Sequence, residues 1–160
     1  MVKPLVAASA HGTTLLRSRA PAAIARSLDA SLAGRPVVVQ PFMEEVCSRG
    51  EWSLVFIDGR FTHAALKRPG SGEFRVQAHL GGTASAGEPP ADVRAAACRA
   101  LGALPVPPLY ARVDGIETDE GLLVMEMEVN EPGLFFDLAP AAAERFADAV
   151  LERLSRGRFA

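Results

Sequence analysis

At 160 residues, 49% hydrophobic and 22% charged, the chain is long and apolar enough to bury one ordinary core, which excludes global disorder. A net charge of −2 argues against a general binder of nucleic acid or of anionic membrane surfaces. Cys47 and Cys98 make neither a disulfide framework nor a metal pair, and no stretch approaches the roughly 20 apolar residues of a membrane span. Met1 to Ala10 ends in small residues as a cleavage site would, but Pro4 interrupts its apolar run, so a cytoplasmic location is expected.

In chain order, Val2 to Val6 reads as a short strand and residues 7–14 as the loop after it. Pro21 opens a predicted helix in which Ile24, Leu28 and Leu32 recur at helical spacing before Gly34 stops it. Val37–Val39 reads as a buried-type strand between Pro36 and Pro41. Trp52 to Ile57 and Arg60 to Leu66 flank Asp58-Gly59, the strongest short-range hairpin signal. Residues 69–90 are glycine-rich and read as irregular, with Phe74 to Ala78 a candidate strand. A helix is predicted from Pro90 to about Leu104, ended by Pro105, Pro107 and Pro108. Leu109 to Ile116 and Leu122 to Asn130 form a second predicted hairpin, and a closing helix from Pro140 carries Phe146, Val150 and Leu154 on one face. Two hairpins among interspersed helices predict an α+β fold with a largely antiparallel sheet.

Residues 1–40 carry five basic groups against one acid, whereas residues 114–131 hold seven acids and no base. Strand alternation places Glu126, Glu128 and Asn130 on one face and Met125, Met127 and Val129 toward the core, with Asp114 twelve positions earlier. Like charges opposite one another cost about 0.2–1 kcal/mol per pair in a sheet, so the cluster reads either as a solvated acidic strand or as a hard-oxygen site for magnesium. Lys3 before Ser9-Ala-His-Gly-Thr-Thr14 reads either as an ordinary strand and turn or as a small-residue loop that lets backbone N–H groups approach phosphate. Lys67 to Arg75, leading to Gly81-Gly82, suits either an anionic ligand or a surface loop. His11, His63 and His79 are too scattered for a metal triad, and Trp52 is assigned to the core.

Taken in order, these residues resemble the catalytic half of an ATP-grasp ligase, in the branch of prokaryotic glutathione synthetase and the ribosomal-protein glutamate ligases. Val2-Lys3-Pro4 with Ser9 to Thr14 is similar to the family's lysine strand and phosphate loop. Val39-Gln40-Pro41-Phe42-Met43 resembles its adenine strand, and Gly50-Glu51-Trp52 its ribose-binding acid. Gly72-Glu73-Phe74-Arg75 with Gly81-Gly82-Thr83 looks like the phosphate-binding arginine segment, and Arg112-Val-Asp114 with Met125-Glu126-Met-Glu128 like the metal strands. The twelve-residue spacing selects Glu126 and Glu128 over Asn130.

The resemblance implies one partial ATP-grasp domain over 1–160, with 1–41 the remainder of the small ATP-binding subdomain, 42–160 the catalytic subdomain, and the family's preceding domain missing. It implies ATP and magnesium (or manganese) as cofactors and a ligation of small-molecule carboxylate to amine through an acylphosphate. The implied nucleotide-binding residues are Lys3, Ser9, His11, Gly12, Gln40, Phe42, Met43, Glu51 and Arg75, with Arg75 also catalytic. The implied metal ligands are Asp114, Glu126 and Glu128. An uncovered first strand makes homo-oligomerisation an expectation. The alternative is a non-catalytic nucleotide-binding or partner-binding module.

Overall fold

Asp58 and Gly59 both take positive φ, 48° and 75°, the backbone that a two-residue hairpin turn needs if its twist is to match the strands it joins. The computed structural model describes residues 1–17, 20–22, 24, 32 and 34–157, in two units, Met1–Glu44 and Glu45–Ala160. Most of the helix expected after Pro21, including Leu28, lies outside the described residues.

In the first unit, β1 (Val2–Pro4) pairs antiparallel with β2 (Val37–Val39), Lys3 opposite Val38, and Val2 also bridges Thr14. β2 is a strand but not a buried one: Val37 and Val39 are exposed, since β1 is its single hydrogen-bonded neighbour among the described strands.

The second unit is a five-stranded antiparallel sheet of order β5-β4-β3-β6-β7. After the one-turn helix α1 (Glu45–Ser48), β3 (Glu51–Ile57) and β4 (Arg60–Arg68) form the first hairpin. The candidate strand at Phe74 to Ala78 is absent; residues 73–77 are irregular and end in a single 3-10 turn, Ala78–Leu80. The edge strand instead is β5 (Thr83–Gly87), paired to β4. Its small residues carry little strand propensity, and Gly87 is there because a Cβ would lie 2.9 Å from the Trp52 ring. The helix α2 (Ala91–Gly102) follows, then β6 (Tyr110–Thr118) and β7 (Gly121–Glu128), and finally α3 (Pro140–Ser155).

Alternation gives the sheet two faces. Val93, Ala97 and Leu101 of α2 pack on Trp52, Leu54, Phe56, Ala64, Ala111 and Val113. On the other face α3 covers only the end near Ile57, through Ala142 and Ala149, with Phe136 and Phe146 beside them. α3 thus buries Ala142 and Ala149, with Phe146 half-buried between them. Its last turn is fixed by Arg153 to Asp58 and to the Pro107 carbonyl, which leaves Leu154 exposed. Beyond the Ile57 end the second face carries charged and polar side chains around buried Val55 and Ala65.

Candidate active site on the sheet

The register of β6 and β7 builds the polar face. Across the two-residue turn Asp119-Glu120, Thr118 opposes Gly121 and Gly115 opposes Val124, yet Asp114 opposes Glu126. Met125 is therefore the extra residue of a β-bulge, a device that re-aims side chains. Without it, Glu126 would stand opposite Val113 and face α2 instead. With it, Arg112, Asp114, Glu126 and Glu128 all project from the polar face, while Met127 packs on the core. Gly115, at the bulge, admits this because a Cβ there would lie 2.7 Å from Leu122 and 2.8 Å from the Leu123 carbonyl. Two expectations are corrected. Met125 is the half-buried bulge residue, not a regular core position, and β7 ends at Glu128, leaving Val129 and Asn130 exposed beyond it.

Neighbouring strands extend this face in rows. One row runs His63, Val55, Arg112 and Glu128; the next runs Ala65, Ser53, Asp114 and Glu126; Lys67 and Glu51 complete it. Asp114 is fully buried and heavily bonded. Ser53 Oγ donates to its Oδ1 at 2.5 Å, Arg112 Nη2 to Oδ2 at 2.7 Å, and Arg112 Nε to both oxygens at 3.0 Å. Arg112 Nη2 also reaches Glu128 Oε1 at 2.6 Å. Lys67 Nζ donates to Glu51 Oε1 at 2.5 Å and lies 3.6 Å from Asp114 Oδ1. Glu126 makes no ion pair among the described residues. One oxygen each from Asp114, Glu126 and Glu128 lie within 4.8 Å of one another. The four carboxylates outnumber the two cations by two, the charge that one divalent cation carries. Hard carboxylate oxygens so grouped fit magnesium or manganese.

The electrostatics follow from burial. Desolvation pushes the Glu51 carboxyl up, with Lys67 opposing. Desolvation first, and then repulsion from Asp114 and Glu128, pushes Glu126 up. Burial works to lower the Arg112 guanidinium, but its hydrogen bond to Asp114 and the surrounding acids outweigh this and raise it. Because Glu51 and Glu126 hold protons more tightly in the folded state, they add stability as pH falls from neutral toward the ordinary 4.5, and that increment is lost as pH rises. Glu73 acts oppositely: Arg75 holds it down at about 2, so its contribution is full above 4.5 and lost below. The thermal midpoint in chelator is expected to climb as pH drops from about 7 to about 5, and Glu126→Gln to flatten the climb. A midpoint that falls throughout that interval refutes this.

The other expected site residues are placed as follows. Glu51 belongs to the carboxylate face, held by Lys67. Arg75 is folded onto its own loop: its Nε and Nη2 donate to Glu73 at 3.1 and 2.6 Å, and it makes no ion pair with the three clustered acids. In the first unit, Ser9 has φ 54° and Gly12 φ 72°, while the His11 N–H donates to the Ala8 carbonyl, so residues 8–12 form a tight turn after β1. The Gln40 N–H donates to the Met1 carbonyl and the Gln40 carbonyl accepts from the Met1 nitrogen. Gln40 thus has its own backbone groups engaged with Met1. Sequence reasoning missed Ser53 and Lys67 as parts of the cluster, and it quoted Arg112 in the metal strand without giving it a role. Arg112, two residues from Asp114, was findable by alternation; Ser53 meets Asp114 through the β3–β6 pairing, and Lys67 through the hairpin that lays β4 beside β3. Gln77 Oε1, two residues after Arg75, is buried without a hydrogen-bond partner among the described residues.

The second unit thus presents grouped carboxylates and nearly buried cations on an antiparallel sheet, and the first unit, described by itself, carries a lysine strand followed by a tight turn. No protein-family model matches the chain. It is 35% identical over 132 residues to the cycloserine biosynthesis protein DcsG of Streptomyces lavendulae, covering 76% of this chain and 43% of that protein. It is 31% identical over 122 residues to a glutathione synthetase of Parasynechococcus marenigrum (strain WH8102), covering 74% of this chain and 38% of that protein. The crystal structure of D-cycloserine synthetase DcsG matches with a TM-score of 0.66 and 34% identity, over 83% of this chain and 46% of that one. The chain belongs to the ATP-grasp superfamily of ligases and has its α+β fold. It spans less than half the length of the curated relatives it matches.

Proposed function

We propose that this chain supplies the ATP- and magnesium-binding part of a carboxylate–amine ligase. The observation that carries the reading is the convergence of Asp114, Glu126 and Glu128 within 4.8 Å on a face held open by a β-bulge. The similarity to DcsG and to a glutathione synthetase supports the ligase class. In the first unit, Lys3 and the turn of Ser9, His11 and Gly12 serve phosphates, and Gln40, Phe42 and Met43 serve adenine. In the second, Glu51, already holding Lys67, offers its other oxygen to the ribose, and Arg75 holds phosphate oxygens. Magnesium on the three acids supplies charge neutralisation for the phosphates.

The chemistry is phosphoryl transfer followed by acyl transfer. A substrate carboxylate oxygen bonds to the γ-phosphorus as the bond to the β-phosphate oxygen breaks, releasing ADP. The amine then attacks the acyl carbon, phosphate leaves, and the amine loses a proton. Little of this is covalent work for the protein, so positioning and electrostatic stabilisation dominate.

The test is isothermal titration of the chain with ATP and magnesium. The parent is expected to bind in a magnesium-dependent way, and Glu126→Gln to weaken that binding by at least tenfold, since even residues that only orient metal ligands are worth about 10–100-fold. Gln matches Glu in shape, and Glu126 makes no ion pair among the described residues, so the variant should keep its fold. Absence of magnesium-dependent binding in the parent overturns the proposal. Binding without acceptor-dependent phosphate release would instead favour a nucleotide-binding module.

A further inference from the structure

The segment of residues 129–139, between β7 and α3, turns back over the polar face instead of leaving it. Glu131 and Phe135 take φ of 54° and 50°, and Pro132 is buried. Two consecutive carbonyls of this segment are gripped from opposite sides of one cross-strand row. Arg112 Nη1, on β6, donates to the Gly133 carbonyl at 3.2 Å, and His63 Nε2, on β4, donates to the Leu134 carbonyl at 2.8 Å. Between them in the row stands Val55, fully buried. Phe135 adds its ring 5.9 Å from the Arg112 guanidinium, and Phe136 lies 6.4 Å from the imidazole.

Because a carbonyl can only accept, Nε2 carries the proton, and Nδ1 is fixed 2.9 Å from the Thr62 hydroxyl. Thr62 is the bulge residue of β4, where the register shifts between Val55 and Phe56, which is how it comes to stand beside the imidazole.

We propose that His63 is a positioning residue, clasping the 129–139 segment so that Arg112 is held in place between Asp114 and Glu128. Remove the His63 bond and, among the described residues, the Arg112 bond to Gly133 is the one side-chain hydrogen bond left from the sheet to this segment. Arg112 then loses the fixed Gly133 oxygen that, with the two acids, sets its guanidinium plane. The consequence for metal binding rests on the function proposed above; the clasp itself does not.

The test compares His63→Gln, whose amide reaches as far as Nε2 and can donate to Leu134, with His63→Asn, whose amide reaches only as far as Nδ1. The first readout is hydrogen exchange of the Arg112 Nε–H, followed by NMR in the metal-free full chain, with the Leu54 amide in the sheet core as the internal reference. His63→Asn is expected to speed Arg112 exchange by roughly tenfold relative to Leu54, as local release of one clasp predicts, and His63→Gln to restore it to near the parent rate. Equal Arg112 exchange in both variants, whether both slow or both fast, overturns the proposal, as does acceleration matched at Leu54. The second readout is manganese affinity, where His63→Asn is expected to lose about tenfold and His63→Gln little. A parent that binds no manganese sinks the metal-site reading while the exchange comparison still decides the role of His63.

Discussion

Replacing Asp114 by Asn is expected to cost about 3 kcal/mol of stability in the metal-free protein, the lower end of what breaking a buried ion pair costs. The side chain is fully buried, and its two direct cations are nearly so: Arg112 is 11% exposed and Lys67 13%. Each cation keeps one other carboxylate, Glu128 for Arg112 and Glu51 for Lys67, which is why the loss stays at the low end. The amide can still accept from Ser53, so the loss reports charge and not packing. Urea unfolding should show a lower midpoint at unchanged slope, and the thermal midpoint should fall by roughly 10 °C. Ser53→Ala, which removes one hydrogen bond to the same charged group, should cost about 1.5–3 kcal/mol. A loss below about 1 kcal/mol for Asp114→Asn would mean that the cluster is solvated like an ordinary surface network.

That expectation depends on neighbours that the sequence discloses unevenly. The first hairpin was legible because Asp58-Gly59 leaves the backbone little choice: two positive φ angles in a row admit few other residues. The pairing of Asp114 with Glu126 was legible from their spacing, but the reason was not. A two-residue turn between Thr118 and Gly121 would place residues twelve apart on opposite faces, and only the extra Met125 brings them together. A bulge has no side-chain signature of its own here beyond Gly115. Ser53 and Lys67 were illegible as partners of Asp114 because they reach it across β3 and β4, where register decides what meets. β5 was illegible because a run of Ala, Ser and Gly has no strand propensity; an available edge on β4 makes it a strand. Val37 to Val39 misled in the other direction, since a run of valines reads as buried while its two-stranded ribbon leaves alternate valines exposed.

The glycine-rich segment before β5 carries the last expectation. The chain from Glu73 to Gly82 closes on itself: the N–H groups of Leu80 and Gly82 both donate to the Gln77 carbonyl, and that of Gly81, at φ 84°, donates to Ala78. A Cβ on Gly82 would lie 2.1 Å from the Val76 carbonyl oxygen and 3.0 Å from that of Gln77. These are backbone atoms and cannot swing aside, and Val76 is itself buried. Gly82→Ala must therefore push residues 76–77 away from 82, which costs about 2–3 kcal/mol as overpacking does and carries Arg75, one residue upstream, with it. If Arg75 serves the phosphates as proposed, ATP affinity should fall by about a hundredfold, a loss on the scale that roughly 1 Å of misplacement imposes on a positioned group. Gly102→Ala is the control. It ends α2 with nothing within 4 Å of a Cβ and no positive φ, and should add about 0.5–1 kcal/mol through helix propensity alone. Gly82→Ala with parental unfolding and parental ATP affinity would show that the closed turn does not set the position of Arg75.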